Sequence, residues 1–259
     1  MNNNPYDPNG YYNGYNNGGG GFGGGMNNPA SYVNNQPAVS LADYTKKVFG
    51  WMFVGLLITF GICLAIVNDP VRVMIFMENN IGLYYFLLLA EVVLVFVLGF
   101  FVSKIPPVAC TAIFLAYSVL NGITIGPLLV LFDVMTAVFA FAVTAGIFGA
   151  MTLYGMITKR DLSSLGTVLV FGLFGLILFS VIAMFFNVPM MDLAICLVGI
   201  VIFVGFTAYD TQKIKRYYSA MQGDSVLLAK GAIIVALDLY LDFINLFLYI
   251  LRILGARKN

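Results

Sequence analysis

Seven apolar stretches of about 20 residues each follow one another from Leu41 to the C-terminus, separated by short polar breaks. About 20 apolar residues in helical form cross the ~30 Å hydrocarbon core of a bilayer. The stretches run from about Val48 to Val67, Ile81 to Val102, Val108 to Phe132, Met135 to Ile157, Leu165 to Phe186, Met191 to Tyr209 and Gly231 to Leu254. Turn and charge signals occupy the breaks: Asn68-Asp69-Pro70, Lys104-Ile105-Pro106-Pro107, Asp133, Lys159-Arg160-Asp161, Asn187-Val188-Pro189, and a long linker from Lys213 to Lys230. The runs are continuous rather than alternating, which excludes a β-barrel. Only 10% of the residues are charged and 61% are hydrophobic, against about 25% charged in a soluble domain. The expected fold class is therefore all-α: a multi-pass membrane protein with seven transmembrane helices.

Residues 1 to about 40 are of another kind, a tract of Asn, Gly and Tyr with Asp7 as its only charge. It cannot bury enough apolar surface to offset its chain entropy, so a disordered tail is expected ahead of a membrane domain over 41–259. The tail is either a solvated leader or a sticky partner-recruiting segment. It lacks the basic start and apolar run of a signal peptide. Lys46, Lys47, Lys104, Lys159, Arg160, Lys213, Lys215, Arg216 and Lys230 fall on one side if the segments alternate; Arg72, Arg252, Arg257 and Lys258 fall on the other. The positive-inside rule then puts the N-terminus and its tail in the cytoplasm. Seven crossings leave the C-terminus outside; a re-entrant last segment would bring it back in.

A net charge of +1 offers no basic surface for nucleic acid. With no histidine in the chain, Ser/His/Asp and Cys/His triads, HExxH zinc sites and histidine proton shuttles are excluded within it. Cys63, Cys110 and Cys196 lie far apart inside apolar runs and read as small buried hydrophobes. No cofactor is expected.

The informative residues are acids inside apolar runs, since an ionised side chain in the bilayer must be paired, protonated or facing water. They are Glu91 in segment two, Asp210 at the end of segment six, and Asp238 and Asp242 in segment seven. Asp238, Asp242, Asn245, Tyr249 and Arg252 recur at spacings of four and three, which stacks them in one stripe along a single helical face. A polar seam of this kind belongs in the middle of a bundle, against neighbouring helices or a water-filled cavity. Asp238, Asn245, Tyr249 and Arg252 are also consistent with interhelical glue; Asp242, deeper, points to an ion or proton pathway. Asp210 is either functional or an interfacial acid paired with Lys213 or Lys215. Glu91 is either a protonated buried acid or a partner of the seam. Asn121 to Pro127, NGITIGP, reads equally as a kink and as a packing notch.

FTAYDTQKIK at Phe206–Lys215 and LYLDFINLFLYILRILG at Leu239–Gly255, with weaker support from NGITIGP and from AEVVLVFVLGFF around Glu91, resemble the Bax-inhibitor family of membrane proteins, in a bacterial form. The resemblance covers about Tyr44 to Gly255. It implies a seven-helix fold with the last helix central and ringed by the other six. It also implies a plasma-membrane location and a pH-sensing carboxylate pair gating a calcium leak. By position the pair is Asp210 and Asp242; Asp238 sits where family members vary and adds a third acid here, and Asp238, Glu91 and Asn245 are read from the sequence as auxiliary groups. The basic residue that latches the pair near the end of helix two in the family has no arginine counterpart in Leu98 to Lys104; Lys104 is the one candidate.

Two carboxylates brought together in low dielectric cannot both stay ionised, so they hold one proton between them and titrate together. Protonated, they bridge segments six and seven; deprotonated, they repel and expose oxygens suited to a hard cation such as Ca²⁺, bound transiently because two or three carboxylates fall short of a storage site. One expectation runs against the pairing. If Lys213 and Lys230 both mark the membrane edge, Asp210 lies about 5 Å deep and Asp242 about 18 Å deep. The gap closes if segment seven begins as a helix near Asp224-Ser225. Two other functions compete. Paired aspartates on adjacent helices also resemble intramembrane aspartyl proteases, although their Gly-x-Gly-Asp and Pro-Ala-Leu settings are absent. Bacterial relatives further suggest regulation of a membrane-bound protease by direct contact. A non-enzymatic cation leak is the expectation carried forward.

Overall fold

The computed structural model describes residues 39–102, 104–186 and 189–256. Residues 1–38 of the expected tail lie outside the described residues, as do Asn187, Val188, Arg257 and Lys258. Eight helices follow: α1 Leu41–Val67, α2 Pro70–Asn79, α3 Ile81–Phe101, α4 Pro107–Val130, α5 Val134–Ile157, α6 Ser163–Phe186, α7 Pro189–Met221 and α8 Ser225–Ala256. All except α2 are long and apolar enough to cross a membrane. The protein is an all-α, multi-pass membrane protein.

The helix starts have local causes. Ser40 accepts a hydrogen bond from the Asp43 N–H ahead of α1, Asp69 from that of Arg72 ahead of α2, which has Pro70 in its first turn, and Asp133 from that of Thr136 ahead of α5. Asp224 accepts from the N–H groups of Val226 and Leu227 at the start of α8. Each satisfies donors that the first helical turn leaves unpaired.

Two sequence expectations are corrected. The Lys213–Lys230 linker is helix on both sides: α7 continues to Met221, Gly223 turns the chain at φ 95°, and α8 restarts at Ser225. The break after Val67 also holds a ten-residue helix, α2, none of whose residues is buried. It is too short to span a bilayer. The seventh segment, α8, is one continuous helix of 32 residues, about 48 Å long, and so long enough to cross a bilayer.

α8 is the centre of the bundle. Of its apolar stretch 67% is buried, against 11% for α3 and 17% for α6. It packs on α7, α1, α5 and α4, while α3 packs chiefly on α4 and α6 on α7. The ring around the last helix is thus four helices rather than six, with α3 and α6 a layer further out. Their large outward side chains, among them Phe96, Phe100, Phe171 and Phe174, face lipid. Lipid is as apolar as a leucine core, so close packing and interhelical hydrogen bonds hold such a bundle together. Gly122 of α4 lies where a Cβ would come 2.9 Å from the Thr59 carbonyl oxygen of α1, and Gly155 of α5 where one would come 2.5 Å from that of Ala208 in α7. Pro127 lies inside an unbroken α4, and Gly122 and Gly126 receive Ile62 and Ile66 of α1, so the NGITIGP sequence is a packing notch.

Candidate functional site

α7 and α8 form an antiparallel hairpin, and the predicted polar stripe of α8 faces α7 along its length. Nearest the hairpin tip, the Lys213 ammonium of α7 lies 2.5 Å from the Asp238 carboxylate of α8 and 3.5 Å from that of Asp210. Its Nζ also stands 5.6 Å from the centre of the Tyr217 ring. One rung further in, the carboxyls of Asp210 and Asp242 meet within hydrogen-bonding reach. Both are buried, at 6% and 4% exposure, and Asp242 Oδ2 has no hydrogen-bond partner. Towards the far end Tyr249 covers Gly199 and packs on Phe203. There Arg252 pairs with Asp192 in the first turn of α7.

The depth conflict disappears because α8 begins at Ser225. The two helices leave the turn together, so Asp210 and Asp242 reach the same level despite their unequal distances from Lys213 and Lys230. Asp238 is placed beside Lys213. Asn245 is not interhelical glue: its amide donates to the Leu241 carbonyl of its own helix at 2.8 Å. Lys104 supplies no latch, since its ammonium stands over the Phe101 ring.

Glu91 belongs to a different cluster, reached from the other face of α8. Its Oε1 accepts from Thr124 at 2.5 Å and its Oε2 from the Asn121 amide at 3.1 Å. The Asn121 carbonyl oxygen accepts from the Tyr240 hydroxyl at 3.0 Å. That hydroxyl lies 2.6 Å from Thr59 Oγ1, which donates to the Ser118 carbonyl oxygen. Four helices, α3, α4, α8 and α1, are thereby joined by one buried chain of hydrogen bonds. Tyr240 stands two residues from both Asp238 and Asp242, so it projects from the opposite side of α8, and Glu91 is linked to α8 through Asn121 and Tyr240.

Thr207 and Thr211 donate to carbonyls of α7 itself, whereas Gln212, Lys215 and Arg216 hold the α5–α6 turn. Gln212 accepts from the Leu162 N–H at 2.9 Å and donates to the Arg160 carbonyl at 2.7 Å. Lys215 donates to the Met156 carbonyl and Arg216 to Ser163 Oγ. Asp161 in that turn accepts from the Ser163 N–H and hydroxyl, which hold its carboxyl below the usual carboxylate range. That bonding is present at neutral pH and is lost only as pH falls through the lowered value. DTQKIKR therefore combines one acid of the pair, its neighbouring cation and a three-residue clamp. Tyr240, Asn121, Thr124 and Gln212 went unassigned in the sequence. Asn121 and Thr124 carried only their place in NGITIGP as a signal.

Two carboxylates, those of Asp210 and Asp238, thus contact one ammonium, with Asp242 beside Asp210 and Arg216 adding attraction from further away. Among the described residues no group of three or more acids or thiols forms a metal-ligating set, and Cys63, Cys110 and Cys196 are buried free thiols. The arrangement suits proton sharing and charge exchange at the level where the apolar part of α7 ends.

Residues 41–259 match the sequence family described as Inhibitor of apoptosis-promoting Bax1. The chain is 39% identical over 224 residues to the Inner membrane protein YbhL of Escherichia coli (strain K12), covering 86% of this chain and 95% of that one. It is 39% identical over 217 residues to an uncharacterized protein of Borreliella burgdorferi, covering 83% and 93%. An uncharacterized membrane protein of Streptococcus pyogenes serotype M1 is 36% identical over 238 residues, covering 89% and 99%.

Proposed function

The chain belongs to the Bax inhibitor family of membrane proteins, and on that premise we propose that it is a pH-sensitive cation leak, with calcium as the cation and Asp210 and Asp242 as the sensing pair. The observation that carries the reading is the contact of these two buried carboxyls on adjacent helices, one with an unpartnered oxygen. At such close quarters in low dielectric, two negative charges repel strongly, so a proton between them favours the closed pair. Losing that proton drives α7 and α8 apart at this rung and frees carboxylate oxygens for a passing cation. The proposed activity is transport and not catalysis. We place it in the plasma membrane of a bacterium, with the N-terminus in the cytoplasm, the side that collects most Lys and Arg.

The test is calcium flux into liposomes across pH for the parent protein, Asp210→Asn and Asp242→Asn. Flux in the parent is expected to rise as pH rises through the titration of the pair. Either substitution removes one of the repelling charges and flattens the profile. Parent flux that does not change with pH overturns the proposal, and cleavage of a reporter peptide would transfer the pair to proteolysis.

A further inference from the structure

We infer that Lys213 is a tethered counter-cation, an ammonium that stands between the acid pair and the hairpin tip in the place an ion moving along the α7–α8 seam has to take. The inference rests on the leak reading and adds to it the group that competes with the permeating cation. The geometry is specific. The Lys213–Asp238 rung, at 2.5 Å, is the next rung towards the tip from Asp210–Asp242, and the same ammonium is 3.5 Å from Asp210. The charged groups facing this space are Asp210, Lys213 and Arg216 from α7 and Asp238 and Asp242 from α8. Tyr217 presents its ring to the ammonium. One rung further in, Asp242 Oδ2 is buried and has no hydrogen-bond partner.

An ammonium and a metal ion compete for the same carboxylate oxygens, because both are cations that need anionic acceptors when water is withdrawn. Lys213 holds the outer acid and leans on the inner one, so it neutralises the approach to the pair without filling it. Asp238 fixes where the ammonium sits: it draws Lys213 outward from Asp210. The two partners of one ion pair therefore have opposite effects on ion entry. Removing the ammonium unblocks the rung and leaves Asp238 as an attracting charge. Removing the Asp238 charge releases the ammonium onto Asp210, where it blocks the pair more closely. A bridge that serves stability alone would respond in the same direction to both changes.

The experiment measures calcium flux in liposomes, and retention of radioactive calcium by the purified protein in detergent, for the parent, Lys213→Met, Lys213→Gln, Lys213→Arg and Asp238→Asn. Loss of one charge within this distance in a partly buried site is expected to change occupancy about tenfold. Lys213→Met and Lys213→Gln should raise flux and calcium retention by that order, Asp238→Asn should lower both, and Lys213→Arg should resemble the parent. Changes in the same direction for Lys213→Met and Asp238→Asn, or no change in either, overturn the inference while parent flux leaves the leak standing. If no protein conducts, the leak reading fails and calcium retention decides: opposite shifts uphold the counter-cation, equal retention removes it.

Discussion

A buried polar atom has few ways of being satisfied, and the Glu91 cluster uses them sparingly. Thr59 and Tyr240 own one hydroxyl proton each, yet Tyr240 lies beside two acceptors and Thr59 has both the Ser118 carbonyl and Tyr240 within reach. Asn121 joins the halves: its amide donates to Glu91 and to the Tyr117 hydroxyl, and its side-chain oxygen accepts from Tyr240. Removing one hydroxyl along the chain should therefore cost less than removing the amide that joins its halves. Tyr240→Phe is expected to lower stability by about 1 kcal/mol, the net value of one hydrogen bond, and Asn121→Leu by about 3 kcal/mol, since it strands buried groups on two helices. Thermal unfolding in detergent compares them, and an Asn121→Leu cost no larger than that of Tyr240→Phe would show that the cluster is not shared. At this scale the stripe from Asp238 to Arg252 was legible, because a spacing of four and three puts residues on one helical face whatever that face meets. The partner of each residue was not. Tyr240 in an apolar run reads as any buried aromatic, and Asn245, which reads as glue, spends its amide on its own backbone.

Helix ends are where the sequence was least clear, for a physical reason. Apolar length reports the part of a helix inside the hydrocarbon, and α7 and α8 both run past it. Tyr217, Tyr218 and the cations from Lys213 onward carry α7 into the polar region, and the residues after Ser225 do the same for α8. A charged stretch there looks like a linker although its backbone stays helical. This misplaced extension is also what made Asp210 and Asp242 seem to lie at different depths. Contacts between elements depend on small residues that an apolar run hides equally well. Gly155 and Gly149 are both glycines on α5. A Cβ on the first would sit 2.5 Å from the Ala208 carbonyl oxygen of α7, and a Cβ on the second would meet nothing within 4 Å. Gly155→Val is expected to force α5 and α7 apart and to destabilise by about 2–3 kcal/mol, with Gly149→Val close to neutral. Unfolding of the two variants side by side checks this, and equal losses would mean that helix propensity rather than the α5–α7 contact sets the cost.

At the scale of the whole molecule, one end of the bundle carries the α7–α8 tip and the start of α1, and the other carries the end of α8. Tyr44 of α1 packs on Tyr218 of α7, and the Tyr218 hydroxyl donates to the Val39 carbonyl at 2.8 Å, which fixes the beginning of the membrane domain beside the hairpin tip. Gly255 lies against Phe132 in the α4–α5 turn, and Arg252 pairs with the first turn of α7, so α8 finishes at the opposite end. Seven helices of spanning length between these points make an odd number of crossings. The buried stripe supports the same count, because a re-entrant α8 could not run beside α7 from Asp238 to Arg252. With Lys46, Lys47, Lys159, Arg160, Lys213, Lys215 and Arg216 gathered at the tip end, that end is expected in the cytoplasm. Alkaline phosphatase fused after Ala256 should then be active and green fluorescent protein fused there dark, and the reverse should hold for fusions at Met1. If fusions at both ends report the same compartment, the crossing number is even, and the α7–α8 seam cannot carry an ion from one face of the membrane to the other in the manner proposed.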